Sequence, residues 1–307
     1  MLSVARHHRP FVSIVCPTYN HERYIEASLT SALEQDWDPL EVVVSDDGSS
    51  DETARLVDDL GRRWSNRLRA IDGPHVGITA NVNRALRNAR GDLVAFLSGD
   101  DLFLPGKIAA QAAWFAESPD RVLCGHDLEL IDSEDKMLGL WSDTFLLRSG
   151  SGPKDMILYG CFFGAISVMV RKHAIPSYGF DQRLRVASDW KFWIDVLRSG
   201  GAFGAVPGVW GRYRRHPASA TATMSIACAE DHRRTLNLLE REYPELASAC
   251  REARRNRADL RDLARFAPFD RSLWDVYQIQ AVFNCLKQVV PVKLRPHLRR
   301  AVGRSGD

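Results

Sequence analysis

Short apolar runs alternate with amphipathic stretches along the first 120 residues of the chain. Buried strands are predicted at residues 11–16, 40–44, 68–71 and 92–97, and helices at residues 22–35, 51–60, 78–90 and 105–117. Strands that alternate with helices at this spacing favour an α/β fold. Its core would be a doubly wound, mostly parallel sheet flanked by helices.

The pattern changes after about residue 120. Short strands are predicted at residues 121–125, 128–131 and 137–140, a compact helix at 188–198, and a strand with glycine breaks at 203–213. From about residue 226 the chain is mostly helical and is interrupted by prolines. We therefore predict two regions: an α/β domain at residues 1–222 and a mainly helical C-terminal extension at residues 223–307.

Two aspartate-rich turns directly follow two of the predicted strands. The sequence SDDGSSD occupies residues 45–51, and SGDD occupies residues 98–101. Ligands of open α/β sheets bind beyond the carboxyl ends of the strands, so we expect both turns to border one crevice. Carboxylates gathered there repel one another unless a cation or a proton lies among them. The pattern predicts a site for a metal-bound ligand that carries phosphate.

Composition narrows the class of protein. Forty-one basic and thirty-nine acidic residues give a net charge of +2, which disfavours nucleic acid as a partner. The six cysteines are scattered and form no C-x-x-C pair, as is typical of a reducing cytoplasm. The start of the chain lacks the apolar core of a signal peptide, and the longest apolar stretch, residues 161–170, is too short to span a bilayer. We expect a cytoplasmic protein.

Several common nucleotide-binding motifs are absent from the sequence. The first strand leads into Pro17 without a G-x-G-x-x-G sequence, which disfavours a dinucleotide-binding fold. No G-x-x-x-x-G-K-[ST] sequence is present, which disfavours a P-loop enzyme. The glycine- and arginine-rich loop of sugar-phosphate nucleotidyltransferases is missing as well.

The motifs that are present resemble those of the family-2 glycosyltransferases, which have the GT-A fold. In chain order they are Pro17-Thr18-Tyr19-Asn20, Asp46-Asp47-Gly48-Ser49-Ser50-Asp51, residues 91–101 with Leu104-Pro105-Gly106-Lys107 and Gln111, Ala187-Ser188-Asp189-Trp190, and Tyr213-Arg214-Arg215-His216. The resemblance covers roughly residues 10–220. Each motif alone is a weak signal, but five in this order are a strong one.

The resemblance implies an activity and a cofactor. The expected activity is an inverting hexosyl transfer from a UDP-, GDP- or dTDP-linked sugar to a glycan or lipid-linked acceptor, in surface polysaccharide biosynthesis. The expected cofactor is Mg²⁺ or Mn²⁺, which as a Lewis acid would neutralise the departing diphosphate. Asp100 is the candidate metal ligand. The family usually has an aspartate where this chain has Ser98, so one direct carboxylate ligand is absent.

Roles for the remaining motif residues follow from the same resemblance. Asp189 is the candidate general base for the acceptor hydroxyl. The candidate diphosphate contacts are Arg212, Arg214 and His216, since arginine suits bidentate phosphate contacts. The candidate donor-nucleotide residues are Pro17, Thr18, Tyr19, Glu22, Asp46, Asp47, Ser98 and Gly99. Either Asp46 or Asp47 could contact the nucleotide, because strand alternation points only one of them to each face.

Each of these residues also has a purely structural interpretation. Asp46 and Asp47 fit ordinary turn chemistry, and the acidic pair at residues 100–101 fits a solvated loop before a helix that starts with proline. Asp189 is a suitable N-cap for the following helix, and that role is compatible with catalysis. His216 could be structural, and the tryptophans of the 188–198 helix suit the core better than a sugar-stacking platform.

Two other functional classes compete with the enzyme. A catalytically inactive subunit that binds sugar nucleotides, or acts as a scaffold in a glycan-assembly complex, is consistent with Ser98. A nucleic-acid-binding protein is disfavoured by the near-neutral charge. The stretch 287–304 carries six basic residues and no acid. It could make peripheral contact with an anionic membrane at the inner face, or form a solvated helix end.

Overall fold

A computed structural model describes residues 9–264 of the 307-residue chain, with side chains described through residue 255. The strands are β1 (Val12–Thr18), β2 (Leu40–Asp46), β3 (Leu68–Asp72), β4 (Leu93–Phe96), β5 (Leu102–Phe103), β6 (Arg121–Ile131), β7 (Met137–Leu140), β8 (Gly150–Ser151), β9 (Met169–Arg171) and β10 (Ala202–Arg214). The helices are α1 (Ile25–Leu33), α2 (Thr53–Arg63), α3 (Ile78–Asn88), α4 (Lys107–Ala116), α5 (Lys154–Tyr159), α6 (Asp189–Arg198), α7 (Ala220–Thr223), α8 (Ser225–Glu242) and α9 (Ala247–Ala264).

The strands form one mixed sheet in the order β3-β2-β1-β4-β9-β6-β10-β5, with β7 beside β6 and β8 beside β10. Strands β1 to β4 run parallel, and β10 runs parallel to β6. Strand β9 runs antiparallel to both of its neighbours and joins the two parallel parts. The predicted α/β class, a mostly parallel sheet flanked by helices with a helical C-terminal region, is confirmed.

The central strands are buried on both faces because helices cover the sheet. Every residue of β2 is buried, and its run of three valines is typical of a central parallel strand. In the register of β1 and β2, Thr18 is the partner of Asp46, and Val15 of β1 is the partner of Phe96 in β4. The turns that follow β2 and β4 therefore lie beside the end of β1, at one edge of the sheet.

Three local predictions differ from the structure. Strand β1 continues through Pro17 instead of stopping before it, because pairing with β4 ends at Val15 and the missing N–H lies beyond that ladder. The predicted strands at 121–125 and 128–131 are one strand, β6. Helix α1 begins at Ile25, because the residues before it form a turn in which Tyr24 N–H donates to the His21 carbonyl.

A cluster of aromatic rings joins α6 to the sheet. The rings of Phe180 and Phe192 stack with centroids 3.9 Å apart, and Trp193 meets Phe96 of β4 edge to face at 5.2 Å. Trp190 is also fully buried, and its indole N–H donates to the Met156 carbonyl. Both tryptophans of α6 belong to the core, so the start of this helix is held in a fixed position.

The C-terminal helices pack on helices of the α/β region. Helix α8 contacts α6 and α9, and α9 also contacts α5. Within residues 9–264, no helix is long and apolar enough to cross a membrane. The basic stretch at 287–304 lies outside the described residues.

A buried carboxylate joins β1, β2 and the turn before β4. Glu41 accepts hydrogen bonds from the Ser13 hydroxyl at 2.6 Å, from the Arg90 backbone N–H at 2.7 Å and from the Arg90 guanidinium at 2.9 and 3.0 Å. Burial raises the pKa of Glu41, but the bonds from Ser13 and Arg90 outweigh burial, and the net pKa is lowered. Glu41 is therefore ionised and stabilises the strand junction at neutral pH.

Replacing Glu41 with glutamine should lower the free energy of unfolding at pH 7 by about 2 kcal/mol, the order expected for hydrogen bonds to a charged group. A lowered folded pKa contributes stability above the unfolded pKa, and this contribution disappears as pH falls through the folded value. The difference between wild type and Glu41→Gln should therefore shrink below about pH 4.3, the ordinary pKa of glutamate. Urea denaturation at several pH values measures this difference in stability, and Glu34→Gln, at an exposed position, is the control. A deficit that is constant with pH would contradict this assignment.

Candidate active site

One cavity of about 230 Å³ lies at the carboxyl edge of β1 and β4. Its walls come from the ends of these strands, from the segments 161–166 and 186–189, and from the chain after β10. The polar and reactive groups on its walls are Ser98, Asp100, Asp101, Cys161, Ser188, Asp189, Tyr213, Arg214, Arg215, Ser219 and Thr221. The turn after β4 and the start of α6 thus face the same space.

The carboxylate of Asp100 is held from two sides. Its Oδ2 accepts a hydrogen bond from His216 Nε2 at 3.0 Å and lies 4.0 Å from His21 Nε2, while its Oδ1 accepts from the Ser98 hydroxyl. Burial raises the pKa of Asp100, but the His216 bond, the His21 charge and the Ser98 bond outweigh burial and hold the pKa below its ordinary value. Asp100 is the ionised group of the turn.

Asp101 has the opposite electrostatic character. Its Oδ1 accepts the backbone N–H of Arg214 at 2.7 Å. Burial and the neighbouring Asp100 charge raise the pKa of Asp101 well above that of an ordinary aspartate, and Arg214 offsets only part of this. The two adjacent carboxyls of this buried turn therefore differ in their affinity for a proton, which limits the repulsion between them.

The two arginines of β10 serve different partners. Arg214 donates from Nε to the Asp100 carbonyl at 2.8 Å and pairs with Asp135 at 2.6 Å, and its guanidinium lies 4.5 Å from the Tyr24 ring centroid. It lines the cavity and holds the turn at residues 98–101. Arg212 pairs with Glu129 at 2.7 Å and is not among the residues that line the cavity.

The end of β1 packs tightly against the turn after β4. Thr18 Oγ1 and His21 Nδ1 lie 3.0 Å apart, and a Cβ on Gly99 would lie 2.5 Å from each of these atoms. Only glycine fits at position 99 without a shift of its neighbours. The turn therefore approaches the end of β1 as closely as backbone allows.

The two carboxylates of the acidic pair at the end of β2 already accept hydrogen bonds from neighbouring loops of the chain. Asp46 accepts from the backbone N–H and the hydroxyl of Ser49, at 3.0 and 2.5 Å. Asp47 accepts the backbone N–H groups of Val76 and Gly77, at 2.9 and 2.8 Å, before α3. The Asp46 bonds are the turn chemistry that the sequence allowed as an alternative, whereas the Asp47 bonds join this turn to a distant segment. Asp47 also lies 3.0 Å from the ring of His75.

The other predicted donor residues lie at the rim of this edge. The ring of Tyr19 is 42% exposed and 4.6 Å from the His75 ring, so two aromatic rings face outward beside Asp47. Glu22 lies in the turn before α1, and its carboxylate accepts the N–H of Glu52, the residue before α2, at 3.0 Å. Pro17 and Ser98 line the cavity itself.

Asp189 is the first residue of α6. Its Oδ1 accepts its neighbour's N–H, that of Trp190, at 2.8 Å, and its Oδ2 lies 3.8 Å from the Cys161 sulfur. Burial raises the pKa of Asp189, and the bonds from Trp190 and Cys161 only partly offset this effect. Burial together with the nearby Asp189 charge raises the pKa of Cys161 well above its ordinary value, so the thiol remains protonated and donates. Asp189 is a carboxylate of raised basicity that faces the cavity.

The structure brings together Pro17, Ser98, Asp100, Asp189 and Arg214 around one cavity, with His216 directly behind Asp100. Thr18 and Gly99 adjoin it, whereas Tyr19, Glu22, Asp46, Asp47 and Arg212 lie outside its lining. Two residues of this edge, His21 and Cys161, were not predicted from the sequence. His21 directly follows the motif at residues 17–20 and could have been suspected, but no local pattern connects residue 161 to residue 189.

The residues present fit a divalent cation that takes most of its coordinating oxygens from bound phosphates and water and few from the protein. No group of three or more His, Cys, Asp or Glu side chains that could hold a metal occurs in the described part of the chain. Asp100 is nevertheless ionised, and His216 orients it as an outer partner of a metal ligand does. Mg²⁺ is typically bound through one or two carboxylates plus phosphates and water, so one aspartate is an adequate protein ligand.

The sequence matches a known family over its α/β part. Residues 13–172 match the model of Glycosyl transferase family 2, which is more than half of the 307 residues. An uncharacterized protein of Mycobacterium tuberculosis (strain H37Rv) is 30% identical over 215 residues. The match covers 67% of this chain and 59% of that protein, so the chain spans less than two thirds of its relative's length.

Two solved structures have a similar fold. The TarS protein of S. aureus, in complex with UDP-GlcNAc, has a TM-score of 0.61 at 22% identity; the match covers 93% of this chain and 78% of TarS. The mannosyltransferase PcManGT of Pyrobaculum calidifontis, in complex with GDP-Man and Mn²⁺, has a TM-score of 0.62 at 19% identity, over 97% of this chain and 81% of PcManGT. At these identities the similarity establishes the fold alone.

Replacing Asp101 with asparagine should stabilise the protein at neutral pH. The buried Asp101 carboxyl must either carry a charge beside Asp100 or hold a proton that the unfolded chain would release, and the amide requires neither. A raised folded pKa gives full stability below the unfolded pKa of about 3.9 and loses it as pH rises through the folded value. The stability of Asp101→Asn relative to wild type should therefore increase with pH, by about 1.4 kcal/mol for each unit by which the folded pKa exceeds the unfolded one.

Urea denaturation in EDTA at pH 5 and pH 8 measures this change. The exposed Asp58→Asn is the matched control, because it removes the same charge from α2 without altering a buried pair. A relative stability that falls with pH, or does not change, would show that Asp101 is an ordinary ionised aspartate.

Proposed function

The chain belongs to glycosyl transferase family 2, and from this premise we propose that it is an inverting glycosyltransferase that uses a nucleotide-diphosphate sugar. The observation that carries the proposal is one cavity bordered by both the ionised Asp100 turn and the Asp189 carboxylate. In an inverting displacement the leaving group departs from the side of the reacting carbon opposite the nucleophile. The Asp100 turn is proposed to serve the leaving diphosphate, and Asp189 the attacking hydroxyl.

Asp189 is the proposed general base. Its carboxylate accepts the proton of the acceptor hydroxyl while that oxygen attacks the anomeric carbon of the donor sugar. The bond to the diphosphate oxygen breaks on the opposite face, the diphosphate leaves with the electron pair, and the configuration inverts. Burial raises the pKa of Asp189, which increases its proton affinity. Proton transfer of this kind contributes typically ~10²–10⁴-fold in rate.

The donor is proposed to bind across the ends of β1, β2 and β4. The exposed rings of Tyr19 and His75 offer stacking surface for a nucleobase, and Thr18 adjoins the Asp100 turn. The carboxylates of Asp46 and Asp47 accept backbone N–H groups, so their proposed contribution is to shape this loop. Arg214 and His216 border the proposed diphosphate position, and Arg212, bonded to Glu129, is a weaker candidate for it.

Asp100 is the proposed protein ligand of Mg²⁺ or Mn²⁺. A bound cation would act as a Lewis acid that neutralises the diphosphate charge. The chain's own contribution is to keep Asp100 ionised through His216 and to orient it through Ser98. The Mn²⁺ of the PcManGT complex supports this choice of cofactor.

The proposed acceptor is a glycan or a lipid-linked sugar in surface polysaccharide biosynthesis. The basic residues between positions 287 and 304 support contact with an anionic membrane surface, since each Lys or Arg near such a surface contributes about 1 kcal/mol. Scattered cysteines without a paired motif support a cytoplasmic face.

Asp189→Asn should reduce sugar transfer by about 10²–10⁴-fold while leaving donor affinity nearly unchanged, because the amide cannot accept the proton. In wild type, kcat/KM should fall as pH decreases through the raised pKa of Asp189, with a midpoint above 3.9, the ordinary value for aspartate. Kinetics with a donor panel and isothermal titration with the nucleotide measure both effects. Asp58→Asn is the control, and full activity in Asp189→Asn would refute the assignment.

Thermal-shift measurements against UDP-, GDP- and dTDP-sugars should show stabilisation by one class of donor and a larger shift with Mn²⁺. Ligands that bind only the folded state stabilise it by mass action. In Asp100→Asn the Mn²⁺-dependent part of the shift should disappear, while the metal-free response to the nucleotide persists. An equal Mn²⁺ effect in wild type and Asp100→Asn would remove Asp100 as a ligand.

A further inference from the structure

A single carboxylate oxygen accepts three consecutive backbone N–H groups next to the site. Oδ2 of Asp231 lies 2.8 Å from the nitrogen of Arg185, 2.8 Å from that of Val186 and 3.2 Å from that of Ala187. Asp231 is on α8 and is 2% exposed, and its Oδ1 lies 3.8 Å from Arg234. Hydrogen bonds to an ionised acceptor are the strong ones, so this residue holds the backbone at 185–187 firmly.

The backbone segment 185–187, which Asp231 holds, directly precedes Ser188 and the proposed base Asp189. Val186, Ala187 and Ser188 line the cavity together with Asp189. The Ser188 hydroxyl accepts a hydrogen bond from Thr79 of α3 at 3.0 Å, which fixes the segment from the opposite side. The position of this wall therefore depends on α8 as well as on the α/β domain.

An ion-pair network around the buried Lys191 ties the same segment to α8 at a second place. Lys191 of α6 is fully buried and lies 2.8 Å from Asp195, 3.3 Å from Asp181 and 4.0 Å from Glu242 at the end of α8. Arg183 bridges Asp181, at 2.6 Å, and Glu242, at 2.5 Å. Residues 181–187 thus contact α8 at both ends, and Asp231 is the contact nearest the cavity.

We propose that Asp231 is a positioning residue that places the acceptor-side wall and the Asp189 carboxylate for transfer. The inference rests on the proposed function, because it takes Asp189 as the base. Asp231 acts through the backbone and touches no substrate. The donor side is built from the ends of β1, β2 and β4, and among the described residues the hydrogen bonds and ion pair of Asp231 go to residues 185–187 and 234 instead. Loss of Asp231 should therefore impair attack by the acceptor more than donor binding or donor hydrolysis by water.

Asp231→Ala and the milder Asp231→Asn test the proposal in the 307-residue chain. Hydrogen exchange of the amides at 185–187 should accelerate at least tenfold in Asp231→Ala and less in Asp231→Asn. The ratio of sugar transfer to donor hydrolysis should fall about tenfold or more, since a displacement of 1 Å at a reacting group can cost ~10²-fold. The affinity for the donor nucleotide should change less than twofold. Glu230→Gln, exposed on the same helix, is the matched control.

General destabilisation would lower transfer and hydrolysis together and leave their ratio unchanged. An unchanged ratio in folded Asp231→Asn and Asp231→Ala would overturn the positioning role. Unchanged amide protection at 185–187 would overturn it independently of any catalysis. If wild type transfers no sugar from any donor, the proposed function fails and the catalytic role of Asp231 with it, and the exchange data still decide whether Asp231 holds the segment.

Discussion

The compensation of buried negative charge beyond β4 is the interaction on which the site depends. Asp100 and Asp101 are adjacent and buried, and two ionised carboxyls there would repel each other strongly. The end of β10 and the residues that follow it supply the compensation: His216 bonds Asp100, and the backbone and guanidinium of Arg214 bond the turn. These partners lie more than 110 residues later in the sequence, so the turn forms only when the second half of the sheet is in place.

Ser98 changes the electrostatics of this turn. Its hydroxyl donates to Asp100 where the family usually has another carboxylate, so the turn carries less negative charge and offers one fewer metal ligand. A cation would then depend more on the phosphates of the donor for its remaining ligands. The departure from the family pattern is thus coupled to a local bond that stabilises the ionised form of Asp100.

The opposite wall of the cavity is fixed by packing rather than by charge. Trp190 and Trp193 anchor α6 in the core, and Asp231 holds the backbone that precedes it. Burial among these groups also raises the pKa of Asp189. The same apolar surroundings therefore fix the position of the proposed base and increase its basicity.

The sequence alone determined the strands, the helices and the order of the motifs, because periodicity and motif spacing are properties of neighbouring residues. It therefore predicted the α/β sheet and the family, and it placed both acidic turns at one edge of the sheet, but only the turn after β4 lines the cavity. Only the tertiary structure decided which carboxylates bond to backbone and which face the cavity. Asp47 accepts N–H groups 29 and 30 residues away, Cys161 lies beside Asp189, and Asp231 accepts those at 185–187. Such partners are chosen by how distant segments pack, and no local pattern records that choice.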